Sequence, residues 1–171
     1  MKLYTKAGDE GMTSLLSGER VSKNDKRICL TGTLDELSSY LGLVKTKLPE
    51  GDGKQFDKQF IEEIQKSLMT VMAHCEDSGN EKHLLNEAEV LKLEKETDRL
   101  SQFLPKEFSF VLPGENELSA HIHIARTIAR RAERVMTGLN EEQKICRAVR
   151  QYINRLSDYL YALSRFYGDK P

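Results

Sequence analysis

The sequence predicts an all-α fold, a five-helix bundle with ferritin-like up-down packing, and three observations carry that reading. Apolar residues recur at alternating steps of three and four along several long segments, the spacing of one buried helix face. Only 11 Gly and 4 Pro interrupt 171 residues, too few for a turn-rich all-β chain. A chain of this length, 39% hydrophobic and 31% charged, can bury one globular core without disulfides. A single domain over 1–171 is expected, with 1–24 as a polar loop and 25–171 as the bundle.

Each element has its own signal. Residues 1 to about 24 lack helical period and set Gly8, Gly11 and Gly18 among Thr, Ser, Asp and Lys, the marks of an ordered or partly ordered loop. The stripe Leu30, Leu34, Leu37, Leu41, Val44 and Leu48 predicts the first helix, closed by Pro49 and the Gly-Asp-Gly of 51–53. Thr33 to Glu36 spells a capping box, but a start there would cut that stripe. Phe56, Phe60, Ile64, Leu68, Val71, Met72 and Cys75 predict the second helix, with 76–80 as a loop. A third, rich in Glu and Lys, runs from about Asn86 to Phe103 and is stopped by Pro105. After a break at 106–114, the fourth begins near Asn116 and aligns Leu118, Ile122, Ala125, Ala129 and Ala132. The fifth carries Ile145, Val149, Tyr152, Leu156, Leu160, Leu163 and Tyr167.

Charge narrows the function classes. Lys and Arg total 26 against 27 Asp and Glu, a formal charge of -1 that disfavours a generic nucleic-acid binder. The charge is nonetheless segregated: 76–98 hold 8 acidic and 3 basic residues, a local -5, and 120–155 hold 8 basic and 3 acidic, a local +5. Cys29, Cys75 and Cys146 are odd in number, far apart and form no CxxC pair, which points to free thiols in a reducing compartment. The N-terminus has no secretion-type apolar run and no stretch approaches 18 apolar residues, so a cytoplasmic location is expected.

Candidate sites fall in four places. Arg126, Arg130 and Arg134 sit at i, i+4 and i+8 with Arg131 beside them; like charges so spaced repel, unless cross-bundle partners or an anionic ligand reverse the sign. Glu133 gives partial relief, and from spacing alone a solvated arginine face serves as well as an anion site. In the N-terminal loop Gly8 and Gly11 allow backbone amides near a phosphate, with Thr5, Thr13, Ser14, Lys6 and Lys23 supplying hydroxyls and charge. No Walker or GxGxxG spelling is present, and taken alone the loop reads better as a flexible polar tail than as a phosphate cradle. Asp35 flanks the first apolar stripe and could pair with the arginine row or merely favour the helix dipole. Asn154, Arg155 and Asp158 form a polar patch on the fifth helix. His121 and His123 point apart at i, i+2, and no His follows a Glu by three, so no protein-held metal is expected. Phe108 and Phe110 lie where no helix should be, either packed over a bundle end or set against a flat ligand.

Four segments in order, YTKAGDEGMTSLLSGERVSK (4–23), GTLDELSSYLGL (32–43), FVLPGENELSAHIHIARTIARRAER (110–134) and AVRQYINRLSDYLYALSR (148–165), together resemble the ATP:cob(I)alamin adenosyltransferase family of the propanediol-utilisation type. The resemblance spans nearly the whole chain. It implies a homotrimer with active sites between subunits, and transfer of the 5′-deoxyadenosyl group of ATP to cobalt with release of triphosphate. Thr5, Lys6, Ala7, Gly8, Thr13, Ser14 and Lys23 would contact ATP, as would Arg130, Arg131, Ala132, Glu133, Arg134 and Asn154. Asp35 and Arg126 would form an intersubunit salt bridge, and Phe110 would close the lower face of the corrin. Mg²⁺ would ride mainly on the ATP phosphates, the reduced corrinoid would be the co-substrate, and a flavin-dependent reductase would supply electrons. Ala7 stands where relatives commonly carry Thr, and LPGENE where many carry a second Gly. The rival readings are a non-catalytic helical ATP-binding regulator and an inert helical assembly module.

Overall fold

The structure, a computed structural model, describes residues 4, 6–51, 55–105 and 111–168. Thr5, Phe108 and Phe110 lie outside the described residues. Among those described are a hairpin of β1 (Met12–Ser14) and β2 (Arg20–Ser22), and five helices. These are α1 (Lys26–Lys47), α2 (Gln55–Glu76), α3 (Glu87–Ser101), α4 (Glu117–Asn140) and α5 (Arg147–Gly168), with a 3-10 turn at Glu81–His83. All five predicted helices are present. The hairpin is new, because strands of three residues are too short to display alternation.

Side-chain caps set the helix starts. Asp25 accepts the Arg27 amide, Asn86 that of Ala88, and Asn116 that of Ser119, each satisfying a donor that the first turn leaves unpaired. Helix α1 therefore begins four residues before its first stripe residue, Leu30. Thr33 lies inside it, its hydroxyl donating to Cys29 O at 2.8 Å.

Neighbouring helices follow the order α2–α1–α4–α5–α3. Ion pairs Lys26–Glu142, Glu36–Arg131 and Lys47–Glu117 fix α1 and α4 as antiparallel. Helix α3 runs parallel with α5, as Glu94–Arg155 and the Phe103–Phe166 edge contact show. Helix α5 is the central one: Tyr152, Ile153, Leu156, Tyr159, Leu160 and Leu163 are buried around most of its circumference, whereas α1 buries a single Leu/Val stripe. No helix among the described residues is long and apolar enough to cross a membrane.

Polar ties close the seams that apolar packing leaves. Asp57 of α2, 3% exposed, accepts Arg99 Nη2 of α3 at 2.9 Å and the Tyr167 hydroxyl of α5 at 2.5 Å. The same guanidinium bonds Glu96 at 2.6 Å and lies over the Phe56 ring. At the opposite end, buried His74 of α2 accepts the Cys146 amide through Nε2 at 3.2 Å, tying α2 to the residue before α5. Removing Asp57 would take an acceptor from the Tyr167 hydroxyl and the Arg99 guanidinium together. Asp57→Ala should lower unfolding free energy by about 2–3 kcal/mol in urea titrations, with no change of slope.

Burial, and secondly His83, hold the His74 imidazole below its ordinary value of about 6.5. The unfolded chain then takes up the proton first on acidification. This stabilisation is complete above the unfolded value and is lost as pH falls below it. The melting temperature should therefore drop between pH 7.5 and 5.5, and His74→Gln should flatten that drop.

Candidate active site

The N-terminal segment is a built structure. Leu15 bonds across the hairpin to Glu19 and Gly18 closes the turn at φ 85°, a conformation that favours glycine. Buried Leu15 and Val21 hold the hairpin on the bundle. Arg27 pairs with Glu19 at 2.9 Å and with the cap Asp25 at 2.8 Å, and the Leu16 amide donates to Glu76 at 3.0 Å. The hairpin is thus latched to the start of α1 and the end of α2.

Residues 6–11 fold back over this base. Arg20 Nη2 donates to Ala7 O at 3.0 Å, and the Lys23 amide donates to Gly11 O at 2.8 Å. A Cβ on Gly8 would lie 3.1 Å from Lys23 Nζ, so a glycine there lets the ammonium rest against the backbone. Lys6 adopts φ 62°. Gly8 and Lys23 therefore meet, with Thr13 and Ser14 of β1 opposite Val21 and Arg20 of β2. An ammonium group beside exposed backbone suits an anion. Arg20 is an organising residue that sequence reasoning passed over, since nothing in its spacing marks it.

Helix α4 carries the second half. Ala125, Ala129 and Ala132 are fully buried, and their small side chains let α1 and α5 close on it. Ala132 is thus a core residue whose side chain faces no solvent. The arginine row divides around this seam. Arg131 pairs with Glu36 of α1, and Arg134 donates to Arg130 O at 3.1 Å. Glu133 accepts Asn154 Nδ2 at 2.7 Å, Asn154 accepts Arg155 at 2.7 Å, and Arg155 reaches Glu94 at 2.9 Å. The helix-five patch is therefore a network joining α4, α5 and α3.

Arg126 and Arg130 take a different direction. With His123, Thr97, Asp158 and Tyr161 they line a cavity of about 440 Å³ among α3, α4 and α5. Val111 and Pro113, just after Phe110 in sequence, line it too. Arg126 is half-buried and neither arginine forms an ion pair among the described residues. Burial, and then Arg130, disfavour the charge on Arg126. Its nearest polar contact is His123, whose Nδ1 accepts Arg126 Nε at 3.4 Å. The two histidines do point apart, His121 toward Tyr40 of α1 and His123 toward Tyr161 of α5. Asp35 is exposed and makes no ion pair among the described residues; its neighbour Glu36 is the residue that meets the arginine helix. His123 was visible in sequence only as half of a rejected metal pair, although its i, i+3 spacing to Arg126 was the useful signal.

Residues 3–167 match the family model described as Cobalamin adenosyltransferase. The chain is 36% identical over 173 residues to a corrinoid adenosyltransferase of Bacillus subtilis, covering 96% of this chain and 86% of that protein. It is 39% identical over 171 residues to the corrinoid adenosyltransferase PduO of Citrobacter freundii, covering 96% of this chain but 49% of that protein, so it spans about half that relative's length. Among solved structures, a phenylalanine-to-alanine variant of a PduO-type ATP:corrinoid adenosyltransferase from Lactobacillus reuteri, complexed with cobalamin and ATP, superposes with a TM-score of 0.88 at 34% identity, covering 98% of this chain and 93% of that one. With sequence similarity and fold both extending over almost its whole length, the chain belongs to the cobalamin adenosyltransferase family.

Proposed function

We propose that this chain transfers the 5′-deoxyadenosyl group of ATP to the cobalt of cob(I)alamin, or of a corrinoid precursor, forming adenosylcobalamin and releasing triphosphate. The observation that carries the reading is the pair Arg126 and Arg130, which form no ion pair among the described residues and line a cavity beside residues that follow Phe110. The Co–C5′ bond forms with both electrons from Co(I), and the C5′–O bond breaks with its pair leaving on triphosphate. Negative charge grows on the leaving oxygen, and fixed guanidinium donors stabilise that change without reorganising. Mg²⁺ carried by the phosphates would share the same charge. The chemistry requires no general base.

Residues 1–24 form the ATP loop of a single domain, with Thr5, Lys6, Ala7, Gly8, Thr13, Ser14 and Lys23 around the nucleotide. Arg130, Arg131, Glu133, Arg134 and Asn154 face the phosphates, and Ala132 contributes close packing beneath them. Catalytic roles fall to Arg130, Arg126, Asp35 and Phe110. The hairpin is anchored at the start of α1, whereas Arg126 and Arg130 open toward α3 and α5. Two half-sites so placed favour a homotrimer in which exposed Asp35 of one subunit meets Arg126 of its neighbour and each site is shared. Phe110 closes the lower face of the corrin, leaving cobalt four-coordinate and easier to reduce by a flavin-dependent reductase.

Mixing the protein with ATP and chemically reduced cobalamin should shift the visible spectrum to that of adenosylcobalamin; an unchanged spectrum with folded protein overturns the reading. Arg130→Ala should lower kcat by about 10²–10³-fold while the helical circular dichroism is retained, and near-normal turnover would remove Arg130 from the phosphate site. Phe110→Ala should slow conversion from Co(II) more than from preformed Co(I). Equal loss in both assays would refute the wedge.

A further inference from the structure

Within one subunit the half-buried Arg126 guanidinium makes its side-chain hydrogen bond, among the described residues, to His123, one turn earlier on α4. Nε of Arg126 donates to Nδ1 of His123 at 3.4 Å. A guanidinium can only donate, so Nδ1 must offer a lone pair and the imidazole must be neutral with its proton on Nε2. The ring is 5% exposed and packs edge-on against Tyr161 of α5, with centroids 6.4 Å apart and planes at 63°. His123, Arg126 and Tyr161 line the same cavity.

We propose that His123 is a positioning residue for adenosyl transfer: neutral, it holds Arg126 against the cavity, and protonated, it repels that guanidinium. The inference rests on the adenosyltransferase reading of this cavity and assigns a role that the reading leaves open. The charges around the ring all bear in one direction except one. Arg126 and Arg130 come from α4 and Arg165 from α5, while Asp158 of α5 is the carboxylate lining the cavity. Thr97 and Ser101 of α3, and Val111 and Pro113 of the segment before α4, bring no charge. Burial first, and then Arg126 and Arg165, hold the imidazole below its ordinary value, so the accepting form prevails at neutral pH. Protonation would delete the acceptor and add a cation beside Arg126 in one step. Acid should therefore disturb the cavity before it unfolds the bundle.

The test uses the whole protein with ATP and chemically pre-reduced cob(I)alamin, which bypasses any reductase. Wild-type turnover should fall on the acid side of neutrality. His123→Leu, which removes the acceptor, should lose about tenfold or more across the pH range. His123→Asn places an amide oxygen near the position of Nδ1 and cannot titrate. It should recover most of that loss and flatten the acid limb relative to wild type. ATP titrates alike in all three proteins, so the difference between profiles is the reading. In parallel, the His123 imidazole proton resonance, assigned by its absence in His123→Asn, should titrate at a higher pH in Arg126→Gln than in wild type. An acid limb unchanged in His123→Asn, or a resonance indifferent to Arg126→Gln, overturns the proposal. A wild-type protein inactive at neutral pH would instead refute the enzyme reading, with the resonance titration still judging the contact.

Discussion

Helix α4 imposes the constraint on which the rest of the molecule depends: it must pack tightly on both sides and still carry four arginines. Ala125, Ala129 and Ala132 meet the first demand by presenting almost no side-chain bulk to α1 and α5. The second follows from geometry, because residues between those alanines must leave the helix along the edges of the seam. Arg131 emerges on the α1 side and finds Glu36; Arg126 and Arg130 emerge on the other side and find a cavity. A half-buried cation without a counter-charge is unfavourable until an anion arrives. The folded chain therefore holds a site whose electrostatics are completed from outside.

That arrangement needs a rigid frame. The Asp57–Arg99–Tyr167 cluster locks α2, α3 and α5 near one end, and the His74–Cys146 contact fixes the other. Between them the Glu133–Asn154–Arg155–Glu94 network crosses from α4 to α3. It also joins the two charged halves of the sequence, since Glu94 belongs to the acidic segment and Glu133, Asn154 and Arg155 to the basic one. Acidic residues thus neutralise the arginines that organise the bundle, and Arg126 and Arg130 form no ion pair among the described residues. The near-zero net charge conceals this division of labour.

Much of the architecture was legible because amphipathic helices write their buried face into the chain at a fixed period. The five stripes sit where they were expected, and Pro49, Asn86, Pro105 and Asn116 mark boundaries for the reasons their chemistry gives. What escaped were features made by single long-range contacts. The hairpin has three-residue strands, held by the burial of Leu15 and Val21 and by Arg27 on Glu19. Arg20 gains its place from the carbonyl of Ala7, thirteen residues away, which no local pattern announces. Spacing alone left the arginine row open between a solvated face and an anion site. Arg126 and Arg130, four residues apart, share the cavity, whereas Arg131, about 100° round the helix from Arg130, turns to Glu36 of α1. Phe110 lies outside the described residues, and its role rests on the family resemblance and on Val111 lining the cavity.

Under the proposed transfer, the same electrostatics explains why Arg130, which forms no ion pair among the described residues, suits the phosphate side of the site. Guanidiniums already committed to carboxylates would have to exchange partners as the phosphate charge developed, and that exchange would add to the barrier. Arg130 has no such partner to release among the described residues, and Arg126 would meet one only across the proposed subunit interface. Their field acts with full effect on whichever state places most negative charge near the cavity, and during adenosyl transfer that state is the one in which the C5′–O bond is breaking. In the proposed function the repulsion along α4, a burden in the isolated chain, would become differential stabilisation of the transition state once nucleotide is bound. In the proposed arrangement His123 would hold Arg126 from within its own subunit, because a neutral acceptor can hold a guanidinium without neutralising it.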